Sequence, residues 1–368
     1  MSAMSPVPGG YAPETGWPLP SHMLGAAREP LRQALLLERC FEGEAARWSD
    51  ALIARTRRHI GGCVAAVETS LRTELEQRAP GLPPLAEIVP ASIGWAAFQR
   101  WPSLLGPDLV RHFRDRAGIS LMAQNDQMAW GAVGAGPGAP PEYPSFLPSI
   151  AVETLSKLTF AQARWADAGP DETSMRPDVS AEAMERLVWV LTALLADRLA
   201  RTGLMPVPDM LALADQAGRA VLSAHDEQTG PFALAALLAH QVRGQEKGME
   251  LLLWLARNHH MAALIAMMAD RIDMDGAILV STIMEAPEQL LFDLCRAADF
   301  PREVAVRLVL GRRCMSRGVE DSVLIHYADA YEHGGREDAA RAIVPLRLSN
   351  AFREGLAALR DRGPVDER

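Results

Sequence analysis

Five arginines, Arg302, Arg307, Arg312, Arg313 and Arg317, fall within 16 residues whose single acid is Glu303. A guanidinium presents its donors in a planar fork that matches a phosphate or a carboxylate. If two or three of these side chains converge, they form an anion-binding patch, so the five are the candidate binding residues of the chain. The same letters also fit a solvated helix face balanced by acids from neighbouring helices. A smaller basic group, Arg55, Arg57, Arg58 and His59, lies far upstream. Neither group is interleaved with aromatic residues, on which single-stranded nucleic acid would stack.

Other constellations fail on their spacing. Asp270, Asp273, Asp275 and Gly276 have the acid density of a calcium loop. With Asp275 and Gly276 at loop positions five and six, Arg271 would fall at position one and Thr282 at position twelve, and neither can ligate as that loop requires. An acidic helix–helix turn, with Asp273 or Asp275 capping the next helix, fits better. Gly134, Gly136 and Gly138 precede Pro140 and Pro141, so no helix can open there to face a phosphate. His59 and Cys63 are four apart on one helix face, but two ligands do not close a zinc site. There is no H-E-x-x-H, CxxC or Gly-x-Ser-x-Gly. His259-His260 reads as a polar pair at a helix junction, and His326 and His333 as members of one polar helix face. The sequence therefore calls for no metal and no cofactor, and it selects no catalytic set.

The elements that would position these residues are helical. Ala, Leu, Arg, Glu and Met dominate, aromatics are 6% of the 368 residues, and apolar residues rarely alternate with polar ones. Trp48, Leu52, Thr56, Ile60, Val64, Val67, Leu71 and Leu75 form one face of a long helix that Gly61-Gly62 is expected to kink or break. Ser180 can cap a helix striped by Met184, Leu187, Val188, Leu191, Leu194 and Leu195. Shorter helices are expected at Pro107–Arg116 and Ile119–Trp130, and in a continuous array from residue 180 onward. Gly334-Gly335 would close one of these helices, and Pro345 would kink or divide the last. The fold class is thus all-α, an antiparallel helical array. Its organisation reads as a disordered tail (1–20), an N-terminal helical region (21–130), a Gly/Pro-rich linker (131–148), a C-terminal helical domain (149–360) and a short tail (361–368). LLLWLAR at 251–257 and LLFDLCR at 290–296 hint at a 39-residue repeat in the C-terminal half, near the roughly 40–47 residues of HEAT units.

The segment from Met261 to Leu310 resembles the C-terminal part of a bacterial family known only as a domain of unknown function. Leu264, Ala269, Ile272, Val280, Leu290, Leu291, Leu294, Cys295, Arg296, Ala297, Ala298 and Pro301 carry the resemblance, which extends more loosely over residues 180–310. It implies an all-helical fold with HEAT-like repeats and brings no activity with it.

Charge and cysteine use bound the function. Net charge is −9, which disfavours nucleic acid as a general partner because that affinity comes from neutralising phosphates. Cys40, Cys63, Cys295 and Cys314 are too few and too far apart for a disulfide framework and suit a reducing compartment. Residues 1–20 lack the basic and apolar regions of a signal peptide. The apolar run Leu187–Ala196 is half the length of a membrane span. A cytoplasmic protein is expected. The leading functional expectation is a non-enzymatic protein-interaction or regulatory scaffold with a protein partner and no membrane attachment. The alternatives are an enzyme or small-ligand sensor with an interhelical pocket near His259, His260 and Asp270, and anion or nucleic-acid binding through the arginine segment.

Overall fold

The structure, a computed structural model, describes residues 48–131, 143–166, 173–315, 321–348 and 352. Among these, 76% are helical, in 15 α-helices, and none forms a strand. No helix among the described residues is long and apolar enough to cross a membrane. The expected tails, residues 132–142 of the linker, Cys40 and Arg317 lie outside the described residues.

Two long helices organise the molecule. α1 (Asp50–Arg78) is N-capped by Ser49, whose hydroxyl accepts from the Leu52 amide. α4 (Pro107–Trp130) starts with Pro107 and Asp108 in its first turn, where a missing N–H costs nothing and an acid suits the dipole. They pack on each other, and each serves both hydrophobic cores. Ile60, Val64, Val67 and Leu71 of α1 meet Leu109, Val110 and Phe113 of α4 in one core, with the hairpin of α6 (Ala181–Ala200) and α7 (Val207–Ser223). Leu52 of α1 and Ala117 to Met122 of α4 enter the other core. There they join α5 (Ser149–Trp165), α8 (Pro231–Gln241), α9 (Gly248–Arg257), α10 (Met261–Arg271), α11 (Gly276–Glu285), α12 (Glu288–Ala297), α13 (Arg302–Arg312), α14 (Asp321–Ala330) and α15 (Arg336–Ala342). Both cores draw residues from each side of the Gly/Pro-rich stretch 131–148. The short helices α2 (Leu85–Ile88) and α3 (Ile93–Arg100) cover the first of these cores.

Three local expectations are corrected. Gly61-Gly62 does not break α1. Gly62 is where another strand of chain crosses the helix: the Met175 amide donates to the Gly62 carbonyl at 2.8 Å, and an added Cβ would sit 2.7 Å from the Thr173 carbonyl oxygen. Residues 107–116 and 119–130 are one helix, because Gly118 packs directly against Met284 and Met315 without interrupting the backbone bonds. Gly334-Gly335 does not close α14. That helix ends at Ala330, Gly335 stands at the N-cap of α15, and Gly334 leaves room for the Arg296 guanidinium. Where the sequence expects Pro345 to kink or divide a helix, α15 ends at Ala342 and a 3-10 turn containing Pro345 follows at Val344–Arg347.

The turns of the C-terminal array share a device. His259, Asp273 and Asp299 all have positive φ, and each is followed by an amide that reaches back five residues: His260 to Leu255, Met274 to Ala269 and Phe300 to Cys295. This is the Schellman arrangement, which satisfies carbonyls that a helix end leaves open. Leu255 and Cys295 are thereby structural equivalents, 40 residues apart. The expected 39-residue repeat instead pairs Leu255 with Leu294, so its matching letters do not occupy equivalent places. HEAT-like repeats are not confirmed.

Candidate interaction surface

The arginine segment is dispersed by its own helix. Arg307 of α13 is buried, and its Nη1 donates to Asp126 Oδ2 at 3.1 Å and to the Ala256 carbonyl at 2.9 Å, while its plane lies over Trp130. Arg312 is also buried and pairs with Glu288. Arg302 lies on the surface and donates to Asp329 and to the Ala328 carbonyl, both at 2.8 Å. Arg313 pairs with Asp321. The four described arginines therefore do not share one exposed face. Positions five apart on a helix differ by about 140° in direction, so Arg302, Arg307 and Arg312 point different ways and each meets a carboxylate of a different element.

Two of the sequence candidates nevertheless meet, at a residue the sequence did not single out. Asp126, on α4, is buried and accepts from His259 Nδ1 at 2.5 Å as well as from Arg307. The left-handed turn at His259 aims its ring at α4, and the ring's Nε2 faces the Gly131 carbonyl at 3.1 Å. An aspartate that orients a histidine is half of a hydrolase relay, but here the second ring nitrogen is engaged by backbone rather than by a nucleophile. The cluster therefore ties α4, the α9–α10 turn and α13 together. His260 next to it is buried and stacks on Trp254 at 5.4 Å, and burial holds its pKa down at about 4. Asp270 pairs with Arg243.

A third polar cluster gathers at the end of α5. The Trp165 carbonyl faces donors from Arg55 (3.2 Å), His59 Nε2 (3.1 Å) and Ser120 (3.0 Å). Arg116, fully buried, lies over the Trp165 ring and donates to Cys63 Sγ at 3.3 Å. His59 and Cys63 thus turn to separate protein partners. Burial pushes the Cys63 thiol up to about 11, away from thiolate character. Cys295 is likewise buried and its pKa raised, whereas Cys314 is half-buried.

An open feature of the surface lies at the other end of α1. A groove of about 530 Å³ runs between that end and α7, lined by Arg78, Ala79, Gly81 and Leu82 on one side and by Leu204, Met205, Asp209, Ala212, Leu213 and Gln216 on the other. None of His259, His260 and Asp270 lines it. α7 builds it by carrying two stripes. Met210, Ala214, Ala217 and Val221 are buried against the core. Asp209, Ala212, Leu213 and Gln216, at i, i+3, i+4 and i+7, form a second face that is turned to the groove. Leu204, at the groove's edge, is 44% exposed. Gly203, with φ +67°, makes the tight turn that brings Leu204 and Met205 beside α7. The electrostatics of the lining are unequal. Arg78 is already paired with Glu74, whereas the exposed Asp209 carboxylate has no hydrogen bond or ion pair among the described residues. The spacing within Val207–Ser223 carries this second stripe, although the sequence pattern identifies the segment only as one helix of the array.

Among known families, the chain matches the model of an uncharacterised protein family conserved in bacteria, DUF2336, over residues 149–344. The chain belongs to that family. The match begins where α5 begins and ends beyond α15, so the DUF2336 segment includes α7 and its side of the groove, while Arg78 to Leu82 lie outside it. No curated protein and no solved structure matched the chain.

Proposed function

We propose that this DUF2336 protein is a non-enzymatic interaction scaffold that docks a protein partner in the groove between α1 and α7. The observation that carries the reading is the second stripe of α7: an apolar and amide-bearing helix face, beside exposed Leu204, over which no element among the described residues is packed. An open groove of this size takes a few side chains from a macromolecule more readily than it encloses a small ligand, which a binding pocket buries over most of its surface. The charged residues first suspected of chemistry support the same reading, since Arg302, Arg307, Arg312, Arg313, His259 and Asp270 are engaged by partners within the fold. The reading places the protein in the cytoplasm, and free Cys63 and Cys295 are compatible with that reducing compartment.

The test is paired affinity purification from native cells with the natural chain and an Ala212→Trp variant. Ala212 is exposed, so the indole plugs the groove without entering the core. A protein that co-purifies with the natural chain and is lost with the variant is the expected result. Equal recovery of every co-purifying protein with both baits overturns the groove as the docking face.

A further inference from the structure

We infer that the occupant of the groove is a short amphipathic helix of a partner protein that carries a Lys or Arg opposite Asp209. The inference rests on the scaffold reading above and adds the chemistry of the partner.

Three observations lead to it. The lining is periodic in the way that a helix reads. Asp209 to Gln216 spans two turns of α7, roughly 10 Å, and its apolar members Ala212 and Leu213 face Leu82 across the groove. A second helix laid along this face offers side chains at i, i+3 or i+4, and i+7 to the same length, which is the helix-in-groove mode of recognition.

The charge of the site is one-sided. Along the neighbouring helices several acids have partners, Glu74 with Arg78, Asp197 with Arg201 and Asp215 with Arg219, while Glu182 and Glu185 of α6 lie outside the groove. Asp209 alone among these lies in the groove without a cation from the described residues, and Arg78 across from it is held by the Glu74 carboxylate and carbonyl. Asp209 does suit the first turn of α7, where an acid complements the helix dipole. That role leaves its outward side able to meet a cation. An incoming basic side chain gains an ion pair there, while an acidic one meets an uncompensated carboxylate.

The third observation is amphipathic balance. Leu204, Met205, Ala212, Leu213 and Leu82 give the groove an apolar floor and edge, with Asp209 and Gln216 as its free polar groups. A partner that is apolar on one stripe and basic beside it satisfies both parts.

The test uses the full-length chain and a display library of 15-residue helical peptides, panned on the natural protein and counter-selected on Ala212→Trp. Enriched peptides are expected to carry apolar residues at helical spacing with Lys or Arg flanking them. A selected peptide should bind Asp209→Lys about fivefold more weakly than the natural chain, and a Lys→Glu version of that peptide should regain binding to Asp209→Lys. Asp209→Asn, which keeps the shape and drops the charge, should fall between. Groove-dependent peptides that are acidic, or that bind Asp209→Lys equally well, overturn this inference and leave the scaffold reading standing. So does a second copy of the chain in the groove, seen as a dimer in sedimentation that Ala212→Trp dissociates. If no peptide depends on the groove, this inference falls. If in addition no native protein is lost with Ala212→Trp, the scaffold reading falls with it.

Discussion

Replacing Asp126 by alanine should destabilise the protein by about 3–4 kcal/mol, and the reason is the cation it leaves behind. Arg307 is 6% exposed at its side chain and the Asp126 carboxylate is the charge nearest to it, at 3.1 Å. Without Asp126 the guanidinium keeps the Ala256 carbonyl and the Trp130 face, neither of which carries a charge. Breaking a buried pair from one side typically costs about 3–5 kcal/mol because the remaining ion is not resolvated. Two features adjust that figure. His259 loses its acceptor too, which adds to the cost. Glu303 lies 3.9 Å from Arg307 and is open enough to turn toward it, which subtracts, though it is already the bidentate partner of Arg257. The assay is urea unfolding followed by circular dichroism, with midpoints compared at a common slope. The double variant Asp126→Ala/Arg307→Met should be less destabilised than Asp126→Ala alone, because it no longer strands a charge. A loss under about 1 kcal/mol for Asp126→Ala, or additive losses in the double variant, would refute the reasoning.

Further predictions follow from the same geometry. Arg302→Ala, which removes an exposed pair with Asp329, should change stability by about 1 kcal/mol at most in the same urea assay, against several for Arg307→Ala. Gly62→Ala should cost about 1–3 kcal/mol, since its Cβ would press on Met175 and the Thr173 carbonyl, whereas Gly276→Ala, with open space around it, should be neutral or slightly stabilising. His260 is buried in its neutral form with a pKa near 4, while the unfolded chain protonates it near 6.5. Below the unfolded value the unfolded state binds the extra proton, so stability is full above about pH 6.5 and falls between there and about 4, by up to about 3 kcal/mol from this residue. His260→Gln should flatten that part of the stability–pH profile; an unchanged slope would assign it to other groups.

Local features were legible in the sequence and long-range ones were not, for reasons that particular residues make plain. Ser180 caps α6 because its hydroxyl reaches the Ala183 amide, and Asp275 caps α11 through the Ile278 amide; both interactions close within three residues. The stripe from Leu52 to Leu75 is buried along its whole length, as its 3.6-residue period implies. Gly62 misled because a glycine pair lowers helix propensity whether or not another segment needs the space, and the segment that needs it begins more than a hundred residues later. The arginine segment misled in a related way. Its density of charge is visible in the letters, but Asp126, Glu288, Asp329 and Asp321, which neutralise it, sit on three other helices, α4, α12 and α14. His259 and Arg307 lie 48 residues apart in the sequence, and only the fold brings them to the one carboxylate of Asp126. The second stripe of α7 was within reach of periodicity, but a stripe says that a helix has a face and not whether anything covers it.

The measurement that bears most directly on the interaction reading is cross-linking mass spectrometry of the protein with its co-purified partner, carried out in parallel on the natural chain and on Ala212→Trp. Cross-links or protection concentrated at residues 78–82 and 204–216, and absent from the variant, are the predicted result. A partner that contacts the chain elsewhere and binds both proteins alike would contradict the account.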